Sequence, residues 1–114
     1  MKAITIQPDK SLLWTDVIAP TVGKSDVLIK VEYAAVNRAD LMQVDGCYPP
    51  PAGCPDYPGL EVSGTIAAVG AAAKKFKVGD KVCALLGGGG YAEFVSVHEQ
   101  MVMPIPENVT MREA

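Results

Sequence analysis

The chain has 114 residues, 49% of them hydrophobic and 20% charged, with a formal net charge of -3. That is one domain's worth of globular chain, long enough to bury a single core and too apolar to be disordered. The acidic balance argues against a nucleic-acid partner, and no run of about 18 apolar residues is present to span a membrane.

At the N-terminus, Gln7, Pro8, Asp9 and Lys10 interrupt any apolar run. No signal peptide is therefore expected, and cytoplasm is the default location. Cys47, Cys54 and Cys83 are odd in number and lack paired spacing, which favours free thiols in a reducing compartment.

In chain order the sequence predicts short strands separated by Gly and Pro. Lys2 to Ile6 alternates, with Ile4 and Ile6 on one face, and Leu12 to Thr15 forms a second short strand. Asp26 to Ala35 is the clearest strand, with Val27, Ile29, Val31 and Tyr33 on one face and Lys30 and Glu32 on the other. It runs into Asn37-Arg38-Ala39-Asp40, and a helical turn over Ala39 to Val44 is expected before Gly46 stops it. Cys47 to Pro58 is a stiff loop with five prolines and two tyrosines, Tyr48 and Tyr57. Proline removes backbone donors, so this segment cannot join a central sheet. A long loop on a small β-domain more often carries function than structure.

Strands resume at Glu61 to Val69, Lys81 to Leu86 and Tyr91 to Val97. Lys74, Lys75, Lys77 and Lys81 read as a solvated turn rather than an anion site. Gly87 to Gly90 demands a reason, since four glycines lose much backbone entropy on folding. A flexible hairpin tip and a close backbone approach to a ligand or a second domain are the alternatives. The run is no phosphate-binding loop, because it joins strand to strand and lacks the Lys and Ser/Thr. Met103 to Asn108 reads as an extended linker, and Thr110-Met111-Arg112-Glu113 as a capping box that starts a helix. A helix with a start and no body suggests the N-terminal piece of a longer protein. Strands of this length and spacing imply a mainly β fold, a small, partly open barrel.

Glu61 lies in the stretch Gly59-Leu60-Glu61-Val62-Ser63-Gly64, an otherwise small and apolar strand. A lone buried carboxylate costs several kcal/mol, in order of magnitude, unless something pairs with it. Glu61 is therefore expected near a site or holding one together.

Gly59-x-Glu61-x-x-Gly64-x-Ile66-x-x-Val69-Gly70 resembles a signature of the medium-chain dehydrogenase/reductase superfamily. Phe76-Lys77-Val78-Gly79-Asp80-Lys81-Val82 and Gly90-Tyr91-Ala92-Glu93-Phe94-Val95 look like the blocks that follow it. The whole chain resembles that superfamily's N-terminal GroES-like domain, with residues 1–107 as the domain and 108–114 as the start of a linker helix. Zinc-dependent members carry His before the Glu and Cys where this chain has Asn37; here the residue before Glu61 is Leu60. His98, the one histidine, reads as a surface residue. The resemblance is thus to the zinc-independent quinone oxidoreductase (zeta-crystallin-like) group. Val36-Asn37-Arg38-Ala39-Asp40-Leu41-Met42-Gln43 and Gly46-x-Tyr48-x-Pro50-Pro51 look most like the branch of the tumour-suppressor-induced NADPH quinone oxidoreductase.

The resemblance implies hydride transfer from NADPH to a quinone or enone, no zinc, and a homodimer as the whole protein. It places Asn37 and Tyr48 in the cleft as hydrogen-bond donors to the oxygen that gains charge. Asn37 is alternatively a cap of the following turn, and Tyr48 alternatively loop packing. Asp40 is expected to anchor the turn, and Glu61 to pair with Arg38, orienting Asn37. No Gly-x-Gly-x-x-Gly follows a strand and opens a helix, so the dinucleotide fingerprint is absent, the cofactor-binding residues are expected mainly outside this stretch, and alone these residues should reduce nothing. A zinc-independent enoyl-thioester reductase and a non-catalytic GroES-like binding module are the other readings.

Overall fold

The computed structural model covers residues 1–114. Its strands are β1 (Lys2–Ile6), β2 (Leu12–Asp16), β3 (Asp26–Ala34), β4 (Glu61–Val69), β5 (Lys81–Leu85), β6 (Phe94–His98) and β7 (Val102–Pro104). One α-helix, α1 (Arg38–Val44), follows β3, and a single 3-10 turn, Glu99–Met101, follows β6. No helix is long and apolar enough to cross a membrane.

Five strands form one antiparallel sheet in the order β6-β3-β4-β5-β7. The apolar alternation dictates which face is buried. Val27 and Ile29 of β3, Val62 and Ile66 of β4, Val82 and Ala84 of β5, and Val95 of β6 all point into one core. Along β3 the burial fades, with Val31 partly buried and Tyr33 exposed, where the register against β4 shifts between the two. That bulge turns the strand end out of the core and releases the chain toward α1.

β1 and β2 make a separate hairpin. Residues 91–93 stitch it to the main sheet. Ala92 bridges Ala3, the Ile4 N–H donates to the Tyr91 carbonyl, and the Val31 N–H donates to the Glu93 carbonyl. Ala3, fully buried, is the core residue of β1, while Ile4 and Ile6, which share the other face, are half-buried.

Most predicted boundaries hold to within a residue. The strand expected from Tyr91 begins at Phe94, because 91–93 is spent on this stitching. The expected linker contributes β7, whose Val102 is in the core. The lysine turn lies at the surface, and the buried Glu99 carboxylate receives the Lys74 and Lys75 backbone N–H groups at 3.2 and 3.0 Å. His98 is exposed and accepts from the Gln100 N–H at 3.1 Å. All three cysteines are free thiols.

The glycine run is not a loose tip. It packs against the chain's own proline loop. Gly89 N–H donates to Tyr57, Gly90 N–H to Gly59 and Tyr91 N–H to Pro58, at 3.0, 3.0 and 2.9 Å. Gly89 has φ +84°, and a Cβ there would sit 2.7 Å from the Pro55 ring. Gly59, at φ +116°, would place a Cβ 2.5 Å from the Tyr91 nitrogen. Side chains at these positions would drive the two segments apart.

The Thr110 capping box forms as expected. The Thr110 N–H donates to the Glu113 carboxylate at 3.0 Å, and the Glu113 N–H donates to the Thr110 hydroxyl at 3.1 Å. Buried Ser63 on β4 ties this C-terminal turn to the sheet, its hydroxyl donating to the Met111 carbonyl at 2.6 Å.

Candidate active site

The site forms where β3 ends, α1 begins and β4 starts. The Ala35 N–H donates to the Glu61 carbonyl at 3.3 Å, which brings the exit of β3 beside the first residue of β4. Two residues on, Asn37 is the N-cap of α1 in extended conformation, φ -119° and ψ 157°. Its carboxamide Nδ2 donates to Glu61 Oε2 at 3.1 Å. Both side chains are half-buried.

The expected ion pair between Glu61 and Arg38 does not form. Neighbouring residues at a strand-to-helix junction point apart, so once Asn37 faces β4, Arg38 faces outward. Arg38 is exposed and makes no ion pair; the chain's two salt bridges are Lys2–Asp16 and Lys77–Asp80. Glu61 thus contacts Asn37 directly, without the arginine between them.

Asp40 anchors the turn as expected, and more deeply. The residue is 3% exposed, and its Oδ2 accepts the Asn37 backbone N–H at 2.9 Å. The same oxygen accepts the Tyr91 hydroxyl at 2.6 Å. Its other oxygen, Oδ1, is buried without a protein partner. Burial, and then the facing Asp40 carboxylate, push the Tyr91 phenol above its ordinary value of 10.0.

Gln43, one helical turn after Asp40, is also buried, and its Nε2 donates to the Asp56 carbonyl at 2.8 Å. α1 therefore turns its polar Asp40 and Gln43 inward and leaves Leu41 and Met42 exposed. The i, i+3 spacing of two polar residues was the available signal for that face. Tyr91 carried only a weak one, a hydroxyl-bearing aromatic directly after the glycines.

Tyr48 lies just past the helix, where the Cys47 N–H donates to the Met42 carbonyl at 2.8 Å. It is half-buried, and its hydroxyl is bonded to none of Asn37, Asp40 or Glu61. The structure thus assembles Asn37, Asp40 and Glu61 into one network, adds Tyr91, and leaves Arg38 and Tyr48 outside it. Beside Glu61 a shallow recess of about 200 Å³ opens between the Tyr33–Ala35 segment, Ser63 and Arg112.

The residues at positions 37 and 60 do not make a zinc donor set. Zinc takes about three ligands from Cys, His, Asp and Glu. Asn37 is an amide already engaged by Glu61, Leu60 offers no donor, and no cluster of three such ligands comes together. A Rossmann-type dinucleotide site is built on a parallel βα unit with a glycine turn. Every strand pair here is antiparallel, and the single α-helix follows Asn37 rather than such a turn.

The antiparallel sheet, the short helix after β3 and the Gly-x-Glu strand facing it agree with the GroES-like fold that the sequence resemblance predicts. Residues 23–107 match the family model of the alcohol dehydrogenase GroES-like domain, and the chain belongs to that family. It is 36% identical to a mouse (Mus musculus) quinone oxidoreductase over 93% of this chain and 32% of that protein. It is 40% identical to an acryloyl-coenzyme A reductase of Sulfurisphaera tokodaii over 88% of this chain and 30% of that protein. The quinone oxidoreductase structure from Coxiella burnetii superposes with a TM-score of 0.85 at 27% identity, covering 100% of this chain and 39% of that one. The chain therefore spans about a third of the length of the relatives it matches.

Proposed function

We propose that this chain is the substrate-side domain of a zinc-independent, NADPH-dependent reductase. In this reading the whole protein transfers hydride from NADPH to a quinone or enone, works in the cytoplasm and forms a homodimer. The observation that carries it is the Asn37–Glu61 hydrogen bond. A carboxamide has two N–H donors and one acceptor oxygen. Glu61 engages one N–H, which fixes the plane of the amide and leaves the second N–H for a ligand. As hydride adds to a conjugated carbonyl system, negative charge builds on oxygen, and a fixed donor that needs no reorganisation stabilises it. Tyr48, on the stiff loop, is proposed as a second donor with an apolar ring for a flat substrate.

The donor chemistry at positions 37 and 60 supports the zinc-free reading, and the quinone oxidoreductase relatives support the substrate class. The recess beside Glu61 is smaller than the roughly 300–1,000 Å³ of ordinary small-molecule sites. That size fits one wall of a cleft whose remainder, with the cofactor, is supplied elsewhere in the whole protein.

A second reading has its own support. The acryloyl-coenzyme A reductase relative shares the fold and is 40% identical, so reduction of an enoyl thioester is the competing activity. The test is NADPH consumption by the whole protein with 1,2-naphthoquinone and with a crotonyl thioester in parallel. Faster turnover of the quinone is expected. Turnover of the thioester alone would move the protein to the second reading, and turnover of neither would leave it a binding module. Residues 1–114 alone are expected to oxidise no NADPH with either substrate.

A further inference from the structure

We infer that Tyr91 is a positioning residue for the Asn37 amide, acting through the buried carboxylate of Asp40. The inference rests on the reading of Asn37 as the donor to the substrate oxygen. Its material is a continuous set of bonds. The Tyr91 hydroxyl donates to Asp40 Oδ2, the same oxygen accepts the Asn37 backbone N–H, and the Asn37 Nδ2 donates to Glu61. Asn37 is thereby held at both ends, its backbone by Asp40 and its side chain by Glu61.

Asp40 depends on Tyr91 more than an exposed cap would. Its carboxylate is buried, no cation pairs with it, and Oδ1 has no partner within the protein. Both donors it has converge on Oδ2, so the Tyr91 hydroxyl is half of its hydrogen bonding. An underbonded carboxylate in a low-dielectric setting is costly, and the turn would rearrange to reach another donor or water. The Asn37 N–H is the group such a rearrangement displaces.

Tyr91 is itself placed with little freedom. Its N–H donates to the Pro58 carbonyl and its carbonyl accepts from the Ile4 N–H. The absence of a side chain on Gly59 lets its backbone reach within that bonding distance. The glycine run and the proline loop thus have a shared purpose: they deliver one phenol to the underside of the site.

The test is a double-mutant cycle on Tyr91 and Asn37 in the whole enzyme, with kcat and KM measured separately for the quinone. Thermal unfolding of each variant is followed alongside. Tyr91→Phe is expected to lower kcat about five- to twenty-fold, a fraction of what one hydrogen bond to a charged group is worth because the effect reaches Asn37 through Asp40, with KM changed less than about two-fold. In the Asn37→Ala background the same substitution is expected to change kcat hardly at all. Asp40→Asn, which keeps the shape and removes the charge, is expected to show the same non-additive pattern and serves if Tyr91→Phe folds poorly.

Three results would overturn the inference. Unchanged kcat in Tyr91→Phe would remove Tyr91 while leaving Asn37 as the donor. A kcat loss of equal size in both backgrounds would make its effect independent of Asn37. Unchanged kcat in Asn37→Ala would remove the donor itself, and the positioning role with it.

Discussion

Asn37 is gripped by carboxylates on two sides, Glu61 at its amide and Asp40 at its backbone. At this scale chemical pattern and spatial outcome part company. Arg38 was the natural partner for Glu61 by charge, yet the carboxamide next to it takes the place, because the extended N-cap turns Asn37 toward β4. Residue type could not reveal this; it depends on which of two adjacent side chains faces the strand. Tyr91 yields a prediction here. Its phenol is pushed above its ordinary 10.0 by burial and by the facing Asp40 carboxylate, so the folded state holds this proton after the unfolded chain has released it. The associated stability is fully present below about pH 10 and is lost as pH rises above it. Lysines titrate in the same range, so the readout is the difference in urea stability between wild type and Tyr91→Phe. That difference is expected to be constant from pH 7 to about 10 and to shrink above it. A gap that stays constant at higher pH would show that burial and Asp40 do not hold the proton.

Among the elements, the strands were legible because their alternation survives intact: Val27 and Ile29, Val62 and Ile66, Val82 and Ala84 all enter one core. β7 was not, since a three-residue strand that ends in Pro104 has too few positions to show a period. The glycine run was visible as an anomaly, and only the seam between 57–60 and 89–91 explains it. The seam predicts unequal costs for equal substitutions. Gly46 has φ +81° with nothing within 4 Å of a Cβ, so Gly46→Ala should cost only the left-handed strain, about 1–2 kcal/mol. Gly59→Ala adds collisions with the Tyr91 and Gly90 backbones and should cost at least about twice as much. Equilibrium urea unfolding of the two variants checks this, and equal costs would mean the seam opens freely.

At the scale of the whole molecule, the sheet, the helix and the Asn37–Asp40–Glu61 network lie within residues 1–114, while the relatives run about three times as far. The fold and family were readable from the Gly-x-Glu strand and its following blocks, since those residues satisfy backbone and core demands within this chain. The substrate was not, because the recess beside Glu61 is small and neither Asn37 nor Tyr48 lines it. Asn37 is the point at which the account is most exposed. In the whole enzyme, Asn37→Ala is predicted to lower kcat for 1,2-naphthoquinone by about 100-fold, the scale of one lost donor to a developing oxyanion, with NADPH affinity unchanged. Unchanged kcat, or a loss confined to NADPH affinity, would contradict it.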